Sequence, residues 1–216
     1  IRRSLNSNSS SSNLNNNDST EYIESLISKQ KLKVIQTKLT SEENVEKLLE
    51  NGTIVTIFSN GSRKEVDVNR EHIFVKFYNG DYKERNNASE TEIYFFSETN
   101  VLHTIHLKTG LQIIKFPNGQ VEKLFPDKTR EIIFPDKKVT ITRPNGNEET
   151  HLPDGTTIRV YPNKEREILT KDFKKREYPD GSVKTVYPNG IIETKYSNGR
   201  IRIKDKQGNI ISDTKA

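Results

Sequence analysis

Turn dipeptides recur in this chain every nine residues. They fall at Asn118-Gly119, Asp127-Lys128, Asp136-Lys137, Asn145-Gly146, Asp154-Gly155 and Asn163-Lys164, and resume at Asp180-Gly181, Asn189-Gly190 and Asn198-Gly199. An earlier pair, Asn51-Gly52 and Asn60-Gly61, keeps the same interval. The unit reads as an aromatic or aliphatic residue, Pro, Asp or Asn, Gly or Lys, then a short strand, as in FPNGQVEKL and LPDGTTIRV. Pro presets φ at the second turn position, Asn or Asp suits the third, and Gly accepts the left-handed conformation that follows, so each unit predicts a type I turn with a glycine bulge. Where Lys stands for Gly, the positive φ costs about 1 kcal/mol.

So short a period leaves strands of roughly six or seven residues and no room for a crossover, which makes consecutive strands antiparallel neighbours. A β-helix or propeller would need a longer period or a recurring Gly/Asp or Trp signature. Counting turns predicts roughly fifteen to eighteen strands at ~4.8 Å spacing, a sheet some ~70–85 Å across. Stacking such a sheet into two layers requires an apolar face, and the chain is 31% hydrophobic and 30% charged, against an apolar content of roughly 45–50% in ordinary globular domains. Thr156, Ile158 and Val160 share one side of their strand, and Thr157, Arg159 and Tyr161 the other. Neither side is cleanly apolar. The predicted fold is all-β: an extended single-layer antiparallel meander, wet on both faces and held by ladder hydrogen bonds and cross-strand pairs worth ~0.2–1 kcal/mol each.

Ahead of the repeat, residues 1–42 read as a low-complexity, largely disordered linker, because the Ser/Asn-rich start has too little apolar surface to offset chain ordering. A short helix over Glu21–Gln36 is one reading of Ile23, Leu26, Ile27 and Val34, and a frayed entry into the fold is the other. Residues 43–216 then form the repeat domain. No run approaches the about eighteen apolar residues of a membrane helix, and the chain reads as a fragment of a longer soluble protein. Lys plus Arg exceed Asp plus Glu by 35 to 30. The signs are interleaved, as in Lys64-Glu65, Glu122-Lys123 and Arg130-Glu131, which argues against nucleic acid.

No nucleophile elbow, phosphate-binding glycine loop or His-x-x-x-His helix is present, so no enzyme is expected. The absence of Cys excludes a disulfide framework and a thiolate zinc site. His103 and His106, three apart on a strand, fall on opposite faces and make poor joint ligands. No metal and no cofactor are expected. Between His72 and Gly119 the chain is instead rich in rings: Phe74, Phe77, Tyr78, Tyr94, Phe95, Phe96 and Phe116. Uncovered aromatics on a sheet suit a proline-rich ligand, whose preformed helix loses little entropy on docking. Cross-strand glue, or a small core under a curled sheet, is the competing account of the same rings.

The string FKKREYPDGSVKTVYPNGIIETKYSNGRIRIKDKQGNIISD from Phe173 to Asp213, with NGSRKEV and NGQVEKLFPD upstream, closely resembles the T-complex protein 10 C-terminal domain. This is the glycine-repeat "G-box" that ends the centriole-assembly scaffold proteins of the centromere protein J family, and the resemblance spans about residues 45–216. It implies a free-standing single-layer sheet, a centrosomal or centriolar location in the cytoplasm and cytoskeleton, and an adaptor role in centriole duplication. The implied partner is a proline-rich, Arg-containing segment of a STIL-type protein. By motif, the implied peptide-binding residues are Phe77 (FYNG), Tyr94 (IYFF), Phe116 (FPNGQVEK) and the acid Glu122 (QVEK). Two rival roles remain at this point: edge-to-edge self-association of the sheet, and a basic module for nucleic acid or microtubules.

Overall fold

In the computed structural model, which describes residues 32–40 and 42–215, every regular element is a strand. The first ten are β1 (Val34–Leu39), β2 (Val45–Leu49), β3 (Ile54–Ile57), β4 (Arg63–Val66), β5 (His72–Lys76), β6 (Tyr82–Asn86), β7 (Thr91–Phe96), β8 (Val101–His106), β9 (Gln112–Lys115) and β10 (Val121–Leu124). There follow β11 (Arg130–Ile133), β12 (Val139–Thr142), β13 (Glu148–His151), β14 (Thr157–Val160), β15 (Arg166–Leu169), β16 (Lys174–Glu177), β17 (Val183–Val186), β18 (Ile192–Lys195), β19 (Ile201–Lys204) and β20 (Ile210–Asp213). Successive strands pair antiparallel from β1 to β20, which form the two edges. Among the described residues strands touch only their sequence neighbours, so there is no second layer.

The count of twenty strands exceeds the roughly fifteen to eighteen expected from turns because four hairpins turn without glycine, with positive φ at Glu43, Arg70, Glu90 and Asn100, and the strands are also shorter than expected. From β9 onward each holds four residues, and the turn takes the other five of the nine. The helix considered over Glu21–Gln36 does not extend into the described residues. Val34 to Gln36 open β1 instead, which enters the sheet ahead of the boundary expected at 43. Val34 and Ile35 are β-branched, and the hydrogen-bonding edge of β2 outweighs weak helical spacing. The rest of the Ser/Asn-rich segment lies outside the described residues.

Turn chemistry follows the predicted pattern closely. The Phe116 N–H donates to the Gln120 carbonyl at 2.9 Å and the Gly119 N–H to the Phe116 carbonyl at 3.0 Å. The Asn118 side-chain oxygen accepts the Gln120 N–H at 2.9 Å, and the same bond recurs at Asp127, Asp136, Asn145 and Asp154. Gly119 has φ +85°, and at the equivalent positions Lys128, Lys137 and Lys164 take 69°, 67° and 66°. Those lysines are exposed, so solvent receives the side chain while the backbone bears the strain. Relief of that strain outweighs the extra chain entropy of glycine. The triple substitution Lys128→Gly, Lys137→Gly, Lys164→Gly is expected to stabilise the sheet by about 1–3 kcal/mol in all, read as a rise in the midpoint of thermal unfolding.

An odd period has a geometric consequence. Side chains alternate between faces with a period of two, so Phe116 and Phe125, nine apart at the starts of successive turns, emerge on opposite faces and at opposite ends of the sheet. Position 134, eighteen residues from 116, returns to the face and end of Phe116. Below, the face bearing Phe116 is the front and that bearing Phe125 the back.

Among the described residues only two hydrophobic ones are buried, Val55 and Tyr82, both on the back face. Tyr82 lies against Phe74 (ring centroids 5.7 Å) and is stacked on Phe95 (5.1 Å, 20°). Farther along the back face an ion-pair ladder replaces apolar packing. Arg159 bridges Glu149 (3.3 Å) and Glu167 (3.4 Å), and Lys174 adds a contact to Glu167 at 2.9 Å. Burial pushes both carboxyls up, but the hydrogen bonds and charges of Arg159 on Glu149, and of Lys174 and Arg159 on Glu167, outweigh it and hold both below the ordinary Glu value.

Candidate functional site

Phe77, Tyr94, Phe116 and Glu122 all lie on the front face. The cross-strand pairs Lys83–Tyr94, Tyr94–His103, His103–Ile114 and Ile114–Glu122 form one row through β6 to β10. Tyr94 and Glu122 therefore sit in a single line, three strands or about 14 Å apart. Phe116 follows Ile114 by two residues, which places it one step toward the turn end and diagonal to Glu122, at a separation of about 7–8 Å. Phe77 stands in the same position at the end of β5, where its N–H donates to the Asp81 carbonyl at 2.9 Å. Phe77 and Phe116 thus belong to the turn-end row, whereas Tyr94 lies one step inside it.

The turn-end row contains two rings not singled out from the sequence. Phe96, two residues beyond Tyr94 and paired with Val101, emerges between Phe77 and Phe116, and Phe134 continues the row past β10. The four phenylalanines stand on every second strand, so their spacing is about 9.6 Å. Phe77 and Phe96 are 40% and 43% exposed. Phe134 is covered by the Lys138 ammonium, 3.9 Å above its ring. The rail free of such a cation is therefore the exposed Phe77 and Phe96 with the half-buried Phe116. The interval of two repeat units from Phe116 signals Phe134. Phe96 carries no such signal, because β7 and β8 are six residues long and break the period.

The surroundings hold these groups still. Asp81 Oδ1 accepts the Ser97 backbone N–H at 2.7 Å and the Ser97 hydroxyl at 2.9 Å, tying the β5–β6 turn beside Phe77 to the β7–β8 turn beside Phe96. Those bonds, with one from Asn79, keep the Asp81 carboxyl below its usual range. Tyr94 donates its hydroxyl to Glu92 at 2.6 Å, and Lys83 stands 4.7 Å from the centre of its ring. Burial pushes Glu92 up, but the hydrogen bonds from Tyr94 and Lys83 and the charges of Lys83 and Arg85 hold it below the normal value. The Glu122 side chain is 12% exposed. Its Oε2 accepts both Nε (3.2 Å) and Nη2 (2.7 Å) of Arg130, and its Oε1 accepts the Gln120 amide at 2.9 Å.

The other rings of this stretch do not join the site. Phe74, Tyr82 and Phe95 form the cluster on the back, so the aromatic segment serves as glue on one face and leaves rings uncovered on the other. His103 faces front beside Tyr94 (centroids 6.2 Å) and His106 faces back. Among the described residues there is no group of three or more His, Asp or Glu able to hold a metal and no helix long and apolar enough to cross a membrane.

An uncovered meander carrying an aromatic rail places the chain among free-standing, single-layer repeat-β domains. Within that class it belongs to the T-complex protein 10 C-terminal family. The family's model, described as the T-complex protein 10 C-terminus, matches residues 144–169 and 170–204. Centrosomal P4.1-associated protein is 42% identical in Mus musculus and 46% in Homo sapiens over 180 residues, 79% of this chain and 13% of each relative. This chain therefore spans a small part of those relatives. Among solved structures, the TCP10 domain of Danio rerio CPAP in complex with a peptide of Danio rerio STIL is 43% identical, with a TM-score of 0.54 over 80% of this chain and 99% of that one. The SAS-4 (dCPAP) TCP domain of Drosophila melanogaster, in complex with a proline rich motif of Ana2 (dSTIL), is 28% identical, with a TM-score of 0.57 over 71% of this chain and 96% of that one.

Proposed function

We propose that this domain is a receptor for a proline-rich, Arg-containing segment of a STIL-type centriole-duplication protein, and that it serves as a non-enzymatic adaptor in centriole assembly at the centrosome. The relatives solved with STIL and Ana2 peptides support the partner class, and the centrosomal relatives support the location. One observation carries the reading: Phe77, Phe96 and Phe116 share a face and an end of the sheet at every second strand. That spacing of about 9.6 Å matches the pitch of a polyproline II helix, three residues at 3.1 Å or about 9.3 Å. A ligand running across the strands sets one proline on each ring without distortion. Its backbone is already extended before binding, so little entropy is lost.

Glu122 supplies the charge. Each carboxylate oxygen has two lone-pair sites; Arg130 fills both on Oε2 and Gln120 takes one on Oε1, which leaves one site on Oε1 for an incoming guanidinium at the inner edge of the rail. Tyr94, fixed by Glu92, borders the ligand's path on the same inner row.

The test is calorimetric titration of the chain with a proline-rich peptide bearing one Arg, and with the same peptide bearing norleucine there. Glu122→Val is expected to weaken the Arg peptide about tenfold, about 1.4 kcal/mol, and to leave the norleucine peptide unchanged. Equal affinity of the wild-type chain for the two peptides would remove Glu122 from the site, and no binding of either would remove the receptor reading.

A further inference from the structure

The alternation of face and end from strand to strand that sets the front rail sets a second one on the back, at the opposite end. Position 125 and every second turn after it open on that face: Phe125, Arg143, Tyr161, Tyr178 and Tyr196. Between β15 and β16 the turn is one residue shorter, with Thr170 N–H bonded to the Phe173 carbonyl. The loss falls in the turn and not in a strand, so Tyr178 keeps the face and end of Tyr161 although the sequence interval drops from eighteen to seventeen. Tyr161, Tyr178 and Tyr196 thus repeat at about 9.6 Å, again close to the polyproline II pitch of about 9.3 Å. All three are half-buried, and no layer covers them.

The two rails differ in charge. From β15 to β20 the back face bears Lys174, Arg176, Lys184, Arg200, Arg202 and Lys204 against Glu165, Glu167 and Asp213. Over the same strands the front face balances Arg166, Lys175 and Lys195 with Glu177, Glu193 and Asp205. The back excess is also ordered along the rail. The Arg176 guanidinium lies between two rings, 5.8 Å from Tyr161 and 5.6 Å from Tyr178, and Arg200 lies 5.5 Å from Tyr196. Glu165 engages Nε and Nη2 of Arg176, which leaves the Nη1 donors free. Lys184, the exposed cross-strand partner of Arg176, has no acidic partner among the described residues.

We propose that this back face is a second binding site, specific for an acidic, proline-containing extended segment of a partner protein. The segment carries prolines at every third residue, set on Tyr161, Tyr178 and Tyr196, with carboxylates between them that meet Lys184 and the Nη1 groups of Arg176 and Arg200, whose other donors are held by Glu165 and Asp213. The site is independent of the front rail, since a single sheet separates them. Nucleic acid fits it less well: Glu165 and Glu167 stand within the basic stretch and repel a continuous phosphate chain, whereas a peptide can place its acids selectively.

The experiment titrates the full chain with three synthetic peptides and one oligonucleotide. The peptides are repeats of Pro-Glu-Ser, Pro-Lys-Ser and Gly-Glu-Ser of equal length, and the oligonucleotide is single-stranded oligo-dT. Binding of Pro-Glu-Ser is expected, at least tenfold tighter than the other three probes. Tyr178→Ala and Lys184→Glu are each expected to weaken it by about tenfold with unchanged circular dichroism, and Phe116→Ala to leave it unaltered. Lys184 is exposed, so its variant reports on the site even where loss of the Tyr178 ring disturbs the sheet. Oligo-dT binding as tightly as the acidic peptide, insensitivity to Lys184→Glu, or no binding of Pro-Glu-Ser would overturn the proposal.

Discussion

The double variant Phe77→Ala, Phe116→Ala is expected to lose about 100-fold in affinity for a proline-rich, Arg-bearing peptide while keeping its circular dichroism spectrum and unfolding midpoint. Each ring offers one stacking surface to one proline, and removing such an anchor costs about 1–2 kcal/mol. The two stand four strands or about 19 Å apart, beyond the range at which neighbouring substitutions couple, so their effects add to roughly 2.8 kcal/mol, or 100-fold. The fold tolerates the change because Phe77 is 40% exposed and the turn hydrogen bonds that Phe77 and Phe116 themselves make run through their backbones. Calorimetry on the two single variants and the double variant checks it. A double variant that binds like the wild type would separate the rail from the ligand, and one that unfolds would make these rings structural.

Tyr82→Ala is expected to cost about 3 kcal/mol, at the low end for deleting a buried ring, because Tyr82 joins Phe74 to Phe95 in the one aromatic cluster of the back face. Val160→Ala, at a position 37% exposed, is expected to cost under about 0.5 kcal/mol. The damage should be local. Strands touch only their neighbours, so stability sums over adjacent hairpins as in other linear repeats, and loss of Tyr82 should loosen β5 to β8 while β12 to β18 keep their protection. Amide hydrogen exchange resolves the two segments. Uniform loss of protection along the whole chain would show a cooperativity that a single layer does not supply.

Both results bear on how one composition serves stability and recognition together. Phe95 and Phe96 are adjacent, yet Phe95 stacks in the back cluster and Phe96 stands open on the front. A sheet without a second layer cannot bury both faces, so each face takes the side chains that suit it. The back face is covered near β6 by rings and farther on by the Arg159 ladder, and the front leaves Phe77 and Phe96 open to solvent.

Much of this was legible before any coordinates. The nine-residue interval, the Pro-Asn/Asp-Gly chemistry and the shortage of apolar residues sufficed for a bare antiparallel meander, because turn geometry is local and adjacent strands with short turns have only one way to pair. The resemblance of Phe173–Asp213 sufficed for the family. Side-chain partnerships were not legible. Whether Phe96 joins Phe77, whether Arg130 already holds Glu122, and whether Tyr178 stays beside Tyr161 after a shortened turn all depend on register across the irregular hairpins from β5 to β9 and at Thr170–Phe173. A change of one residue moves a side chain to the other face if it falls in a strand and leaves it in place if a turn absorbs it. Composition and period do not distinguish those cases, and the hydrogen-bonded ladder does.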